Sequence, residues 1–410
     1  MLDRERLRRL FDLTSEVYDD HGGSFPLDPY PTFHVRRESG PVHRGTVHEH
    51  LGFEGNPSFQ GLPFPLRPHF SAYDWETCSR VFRDDAFITN PEPLEGEARL
   101  PDAAILFMDG KRHRSYRALV QPSFVPAKAV WWLERWIHSM VHTLIDGFER
   151  IGRADLNIDF CAPIPLLTIT SSFGVDVEQA LDIRAAVIRD NSPGTMYDIL
   201  APIIAARRLK PADDLISVLV DAEITDEDGV RHRLDNDEIF GFAFLLLAAG
   251  SGTTWKQMGI ALLALLRNPD QMAAVREDRT LLKPAIEEAL RWTPTDPVFA
   301  RFASRDVVLG GVEVPAGAVV HVCLAAANRD PSRWERPDEY DLFRPLQSHL
   351  AFGSGPHMCL GMHVARTELT TAIGALLDRL PNLRLDPDAQ QPSIVGLYER
   401  GPTTVPVRFG

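Results

Sequence analysis

One stretch decides how this chain is interpreted: Phe352-Gly353-Ser354-Gly355-Pro356-His357-Met358-Cys359-Leu360-Gly361. Its first two glycines permit backbone conformations, and a close approach to a flat ligand, that a Cβ atom would prevent. A helix-forming run from Met362 to Leu369 follows the cysteine, and the unpaired N–H groups that open a helix favour the thiolate form of a nearby thiol. The stretch therefore predicts that Cys359 is a thiolate ligand of iron, shielded by Phe352.

Two other interpretations account for part of this stretch. His357, Cys359 and His363 are closely spaced, and His349 is near, so a zinc site can be drawn from them. Structural zinc usually takes a closed set of four ligands that is richer in cysteine, and zinc would leave the glycine pair unexplained. A lone cysteine in a glycine-rich turn is ordinarily a small buried side chain. Neither alternative explains the whole pattern.

The whole pattern Phe-Gly-x-Gly-x-His-x-Cys-x-Gly resembles the haem-binding loop of the cytochrome P450 family. The resemblance implies a mainly α fold with a small β region, formed as a single haem domain over residues 1–410. It also implies that haem b (iron protoporphyrin IX) is bound through the Cys359 thiolate. Further haem contacts are then expected from this loop, at Phe352, Gly353, His357 and Gly361.

Three charged residues further support the resemblance. Glu288 and Arg291 are three residues apart, so they share one face of a helix predicted from about Lys283 to Trp292. Arg344 follows after a predicted hairpin. This order is similar to the Glu-x-x-Arg helix and later arginine of the P450 family, which implies a buried structural network under the haem. Bidentate pairing of arginine with a carboxylate suits such a network.

The two propionates of haem require cations. His113 and Arg117 are four residues apart and share a helix face, and their spacing resembles the propionate-binding helix of the family. Arg301 and His357 match two further propionate contacts of the family. Lys111, Arg112 and Arg114 are instead predicted to form a solvated basic face.

The most distinctive predicted helix runs from about Asp237 to Arg267 and is stopped by Asn268-Pro269. Its segment Ala249-Gly250-Ser251-Gly252-Thr253-Thr254 resembles the oxygen-binding motif of the family. The resemblance implies that Ala249 and Gly250 leave room above the haem and that Thr253, with Thr254 beside it, serves oxygen activation. An acidic residue usually precedes this threonine, whereas the present chain has Gly252, so protons are expected to arrive through water, Ser251, Thr254 or the substrate.

The substrate pocket is expected to be apolar. Its predicted walls come from the long helix and from two later segments: Phe242, Leu245, Ala248, Val298, Phe299 and Leu397. Val395 and the loop from Leu94 to Ile105 are further candidates. Only about 34 residues lie between Val175 and Arg208, so the lid over the pocket is expected to be short, and the segment from His34 to His69 is a candidate cover.

The remaining pattern predicts mostly helix. Few periodic segments are visible in residues 1–72. The predicted helices and strands are listed together: helices at Asp74–Phe82, Lys111–Leu119, Ala127–Gly152, Val177–Arg189 and Tyr197–Leu209, a hairpin at Val307–Val314, and strands at Val319–Leu324, Arg384–Leu385 and Thr404–Phe409.

Charge and composition exclude several classes of function. The 410 residues carry a net charge of −14, which disfavours nucleic acid and anionic membranes as partners. Four scattered cysteines indicate neither a disulfide framework nor an iron–sulfur cluster, so electrons must come from another protein. The start of the chain shows no signal peptide, and the longest apolar stretch, Ile239 to Gly250, is short for a membrane span. A cytoplasmic monomer is expected.

These observations predict a haem-thiolate monooxygenase. The enzyme would activate dioxygen and hydroxylate, O-dealkylate or epoxidise an apolar small molecule, with electrons from a ferredoxin-type donor and its reductase. A peroxide-using or reductive haem-thiolate enzyme on the same fold is one alternative, and Gly252 is its support. A haem-binding sensor or carrier without catalytic activity is the other.

Overall fold

The computed structural model describes residues 4–11, 25, 28–53, 67–89, 105–190, 194–225 and 229–410. The chain forms two compact units. The first comprises residues 1–11, 95–255 and 360–381, and the second comprises residues 12–94, 256–359 and 382–410. The long helix Asn236–Arg267 contributes its first part to one unit and its last part to the other.

The first unit is helical. Its helices are Arg4–Phe11, Gly110–Val120, Pro126–Trp132, His138–Asp146, Pro163–Ser172, Val177–Asp190, Gly194–Leu209, Leu215–Asp221, the start of Asn236–Arg267, and Met362–Arg379. One short hairpin pairs Glu223–Thr225 with Arg231–Arg233. The predicted helix Ala127–Gly152 is confirmed over most of its length, although a π-helical turn at Leu133–Ile137 interrupts it.

Helix Pro163–Ser172 was not predicted, and its burial explains why. Nine of its ten residues are buried, so it shows no alternation of polar and apolar faces. A helix that is apolar all round belongs in a core, and periodicity alone does not reveal it. The helices of the expected lid are Val177–Asp190 and Gly194–Leu209, with 14 and 16 residues.

The second unit contains the main sheet. Its five strands lie in the order Val42–Arg44, His69–Ala72, Val319–Val322, Phe299–Ala303 and Phe87–Ile88. Only the pairing of His69–Ala72 with Val319–Val322 is parallel among these strands. Two hairpins pair Val307–Leu309 with Val312–Val314 and Ile394–Val395 with Gly401–Pro402, and the strand Arg384–Leu385 pairs antiparallel with Pro406–Arg408. The helices are Tyr30–Ser39, Val47–His50, Trp75–Arg83, the end of the long helix, Pro269–Glu277, Leu282–Trp292 and Leu324–Ala327.

Two expectations for the second unit need correction. The described part of residues 1–72 contains more regular structure than expected. The proline-rich start did not reveal helix Tyr30–Ser39, because Pro31 lies in its first turn, where proline is compatible with a helix. The strand expected from Val319 to Leu324 ends at Val322, since a short helix begins at Leu324. The predicted helices and hairpin around residues 74, 111, 237, 283 and 307 are confirmed.

Length and composition single out one helix of the described residues, Asn236–Arg267, as able to cross a membrane. The bent pair Asn157–Ser172 and Val177–Ala186 would be a second candidate only if its two parts, at 114° to each other, counted as one span. A long apolar helix in the core of a protein meets the same criteria.

Candidate functional site

The cysteine loop (residues 352–361) folds as a set of tight turns. The Cys359 amide donates to the Phe352 carbonyl at 2.8 Å, and the Gly353 amide donates to the Leu350 carbonyl at 2.8 Å. Gly353 and Gly355 have φ values of 68° and 75°, which glycine adopts without strain. A Cβ atom at Gly355 would also strike the backbone carbonyl of Phe82. The turns leave the Cys359 side chain exposed, three residues before helix Met362–Arg379 begins.

The zinc interpretation does not agree with this geometry. His349 is hydrogen-bonded to Glu287 at 3.2 Å, and its ring lies 6.0 Å from that of Phe352. Within the described ranges, His, Cys, Asp and Glu side chains form no group of three or more that could hold a metal ion. Cys359 is therefore a candidate for a ligand whose remaining metal bonds come from a cofactor.

The four predicted propionate contacts lie on one helix, one strand and the cysteine loop. In the first unit, helix Gly110–Val120 holds His113 buried and Arg117 half-buried, while its basic neighbours at 111, 112 and 114 are exposed. In the second unit, strand Phe299–Ala303 holds Arg301, which is 7% exposed and lies over the Phe82 ring at 5.3 Å. His357 is half-buried in the cysteine loop. The contrast between buried and exposed cations on one helix agrees with the predicted division of roles.

The middle of the long helix is apolar yet uncovered. Ala248 and Ala249 are exposed, although the helix around them is largely buried. The Thr253 hydroxyl donates to the Ala249 carbonyl at 2.8 Å, and the Ser251 hydroxyl donates to the Leu247 carbonyl at 2.8 Å. Side-chain bonds of this kind to the preceding turn compete with the helix ladder and often bend a helix. The segment from Ala249 to Thr253 therefore presents small side chains and two hydroxyl groups.

A flat ligand with a thiolate bond fits these residues. A Cβ atom built at Gly250, Gly353 or Gly361 would find no other heavy atom within 4 Å. Open space at glycine is what a closely approaching ring requires, because any larger side chain would fill it. An exposed thiol and several cations complete a set of groups that suits a dianionic haem.

Comparison with known proteins decides the family. The cytochrome P450 profile matches residues 195–397. The monooxygenase PikC of Streptomyces venezuelae is 34% identical over 384 residues, which cover 89% of this chain and 87% of PikC. The vitamin D(3) 25-hydroxylase of Pseudonocardia autotrophica is 32% identical, with 97% of both chains covered. The chain belongs to the cytochrome P450 family.

A solved structure extends the comparison to the fold. P450BioI, in complex with acyl carrier protein ligated to hexadec-9Z-enoic acid, matches with a TM-score of 0.78 and 27% identity, covering 93% of this chain and 99% of that chain. The mainly α fold with a small β region is thus confirmed. Cytochromes P450 are monooxygenases that bind haem through a thiolate, use dioxygen and receive electrons from partner proteins. The predicted cofactor and enzyme class are confirmed.

Some predicted pocket walls of this P450 need correction. Phe242 is 0% exposed and stacks on Tyr116 with ring centroids 6.1 Å apart, so it is a core residue. Val298 and Leu397 are 2% and 3% exposed and belong to a hydrophobic cluster with Val47. These two side chains are therefore core residues and do not line a pocket. Leu245 and Phe299 are half-buried and Ala248 is exposed, which is compatible with the predicted role. Residues 94–104 of the candidate loop lie outside the described residues.

The predicted charged network of this P450 is assembled in the second unit. Arg291 donates to both Glu288 carboxylate oxygens, from Nε at 2.7 Å and from Nη2 at 2.8 Å. Arg344 Nε donates to Glu288 Oε1 at 3.1 Å, and the Asp341 amide donates to the same oxygen at 3.0 Å. The side chains of Glu288, Arg291 and Arg344 are 6%, 3% and 8% exposed. The structure thus brings all three predicted members together.

Sequence reasoning missed two buried charged residues, Lys256 and Glu368. Lys256, in the long helix, pairs with Glu399 while its side chain is only 3% exposed. Glu368, in helix Met362–Arg379, is buried, and burial raises its pKa to about 8. A lysine inside the apolar run that follows Thr253 was a usable signal, because a buried lysine requires a partner.

Proposed function

We propose that this P450 inserts one atom of dioxygen into an apolar small organic molecule, by hydroxylation, O-dealkylation or epoxidation. The observation that carries the proposal is the uncovered apolar middle of the long helix, Ala248 and Ala249, followed within one turn by Thr253. An apolar surface beside a small number of hydroxyl groups favours an apolar substrate.

Five residues would hold the cofactor. Cys359 would bind the haem iron, and His113, Arg117, Arg301 and His357 would neutralise the propionates. Haem bound through a thiolate supplies the oxidising chemistry, since the thiolate favours O–O cleavage. Phe352 would shield the sulfur from water and oxidation.

Proton handling would rest on hydroxyl groups. The Thr253 hydroxyl donates its single hydrogen to the Ala249 carbonyl, so its oxygen can accept a hydrogen bond, and it would donate to a reacting group only after releasing that carbonyl. Ser251 and the buried Thr254 are its polar neighbours in the chain, and Gly252 contributes no acid. Ordered water or a substrate hydroxyl would therefore complete the route.

Named ligands of the comparison proteins support the substrate class. The vitamin D(3) 25-hydroxylase takes its name from a largely apolar substrate, and P450BioI is bound to an acyl chain in its complex.

The first experiment is a screen of apolar compounds for displacement of the Soret band of the purified haem protein. A hit should yield an oxygenated product with dioxygen, NADH, ferredoxin and its reductase. No product from any compound that displaces the band would refute the proposal.

The peroxide-using alternative has its own measurement. With the ferredoxin system, oxygen consumed, NADH consumed and product formed should stand in a ratio near one to one to one for a well-bound substrate. A peroxide-using enzyme would form product with hydrogen peroxide alone and would gain nothing from the ferredoxin system. Product that depends on peroxide in this way would replace the monooxygenase proposal.

The electron donor is proposed to be an acidic ferredoxin that docks near helix Gly110–Val120. Lys111, Arg112 and Arg114 are exposed there, on a chain whose net charge is −14. A local basic patch steers an acidic partner, and salt screens the attraction.

Arg112→Glu and Arg114→Glu should slow reduction of the haem by the ferredoxin and weaken the salt dependence of that rate. The matched control is Arg384→Glu, an exposed arginine on the strand Arg384–Leu385, which should leave both unchanged. Equal rates in all variants would exclude this docking face.

A further inference from the structure

The hairpin formed by Ile394–Val395 and Gly401–Pro402, with its turn at 396–400, is attached to the rest of the second unit by buried polar contacts on two sides. The turn requires Gly396, which has a φ of 105° and whose Cβ atom would strike the Glu399 carbonyl. Arg400, 4% exposed, closes the turn by donating to the Gly396 carbonyl at 2.6 Å and the Ile394 carbonyl at 3.2 Å. These contacts hold the turn of the hairpin in a single conformation.

Lys256, in the last part of the long helix Asn236–Arg267, holds one side of this hairpin. Lys256 donates to the Glu399 carboxylate, with the two side chains 3% and 19% exposed. The stem of Lys256 packs against Gly401 so closely that a Cβ atom on Gly401 would lie 2.8 Å from the lysine Cβ. A buried lysine is stable only with a counter-charge, so the position of Glu399 is fixed by the helix.

Gln257 strengthens the same attachment. Its Oε1 accepts from the Thr295 amide at 2.9 Å, and its Nε2 donates to the Thr293 carbonyl at 3.3 Å. Thr295 in turn exchanges two hydrogen bonds with the backbone of Arg400, at 2.6 and 2.7 Å. The helix therefore reaches the hairpin twice, once by an ion pair and once through the segment that leads to Val298.

The N-terminal region holds the other side. The Tyr398 hydroxyl and His48 Nδ1 are 2.9 Å apart, and burial lowers the pKa of His48, so the neutral imidazole can accept this hydrogen bond. Val47 and Leu51, from the same segment, pack in the cluster that contains Leu397. Residues 47–51 of the segment expected to cover the pocket thus pack against the hairpin, whereas residues 54–66 of that segment lie outside the described residues.

We infer that Lys256 and His48 are positioning residues for substrate selection: they fix the 394–402 hairpin, and with it the half-buried side chains of Ile394 and Val395, as a rigid wall of the substrate site. This inference rests on the proposed function, because it assumes that the hairpin borders the substrate. Of the two residues, Lys256 is expected to affect the substrate more, because it follows Thr253 by three residues in the same helix. A shift of the hairpin would therefore change which substrates fit without removing any group that reacts.

Azoles of graded size test the inference, because each binds haem iron through nitrogen and displaces the Soret band. Imidazole is too small to reach a distant wall, whereas clotrimazole fills a large pocket. Lys256→Met and Glu399→Gln should weaken clotrimazole binding about tenfold relative to imidazole, the scale of a lost apolar wall contact. The double variant Lys256→Met/Glu399→Gln should be no weaker than either single variant, because the two residues act as one pair.

Controls separate positioning from general damage. Asp159→Asn removes a buried carboxylate held by Arg4 and Arg8 in the first unit, so it should lower the melting temperature and leave the ratio of the two azole affinities unchanged. If Lys256→Met does not fold, Tyr398→Phe removes a single hydroxyl from the other attachment and should weaken clotrimazole selectively. Haem content and the carbonyl band monitor the proposed function independently of the wall. Equal affinity ratios in the wild type, Glu399→Gln and Tyr398→Phe would overturn the inference.

Discussion

Loss of Arg291 should be among the most damaging single changes in this P450. The Arg291 guanidinium makes five hydrogen bonds: two to Glu288 and one each to the carbonyls of Asn328, Pro337 and Glu339. These partners come from the same helix and from two later segments of the second unit. Arg291→Met keeps much of the side-chain volume and removes every one of these bonds.

The magnitude follows from what the variant leaves behind. Glu288 would keep the Arg344 guanidinium and the Asp341 amide, but it would lose its bidentate partner in a site that is 6% exposed. Breaking one partner of a buried ion pair costs about 3–5 kcal/mol. Each buried carbonyl left without a donor adds about 1–3 kcal/mol unless water reaches it. A loss of roughly 5 kcal/mol or more is comparable to the whole stability of many domains, about 5–15 kcal/mol.

The assay is the yield of soluble haem protein, together with thermal unfolding followed by circular dichroism. Arg291→Met should yield little soluble protein, and what remains should be poor in haem. Arg291→Lys should recover only part of the loss, because an ammonium group cannot reproduce the planar fork. The control is Arg336→Met, whose side chain is 57% exposed and pairs with the equally exposed Glu339, and whose effect should stay within about 0.5 kcal/mol. A melting temperature for Arg291→Met equal to that of the control would refute the reasoning.

Three further outcomes are expected. Cys359→His should abolish the red-shifted Soret band of the reduced carbonyl complex, and a variant that keeps the band would exclude Cys359 as the ligand. Thr253→Ala should raise hydrogen peroxide release per NADH consumed with a well-bound substrate, and unchanged coupling would remove Thr253 from the proton route. Burial raises the pKa of Glu368 to about 8, above the ordinary 4.5, so its contribution to stability is greatest below pH 4.5 and is lost as the pH rises toward 8. Glu368→Gln should therefore flatten the fall of the melting temperature between pH 5 and 8 relative to the wild type, and parallel curves would contradict the shift.

The features that the sequence predicted well are those fixed by short spacing. The cysteine loop lies within ten residues, and Glu288 and Arg291 are three apart on one helix, so their geometry follows from local backbone rules. The later arginine, Arg344, could be added only because the order of elements resembles a known family. Local spacing and family resemblance together were sufficient to predict the charged network and to name Cys359 as the candidate ligand.

The features that the sequence did not predict depend on contacts between distant segments. Lys256 and Glu399 are 143 residues apart, and His48 and Tyr398 are 350 apart. No periodicity connects such pairs. Phe242 shows the opposite error, because the sequence predicted that it lines the pocket and could not show that Tyr116 covers it. Which face of a helix is covered depends on neighbours that only the folded chain supplies.

The long helix combines two functions that the sequence presents separately. Thr253 is the proposed proton-handling residue, and Lys256, three residues later, fixes the hairpin. Residues three apart share a helix face, so a displacement of the hairpin would act on the same face that carries the Thr253 hydroxyl. Gly252 makes this arrangement more consequential, because without an acid beside Thr253 the route for protons depends on water that the bound substrate helps to order. In this P450, substrate fit and coupling to oxygen should therefore change together when the Lys256–Glu399 pair is altered.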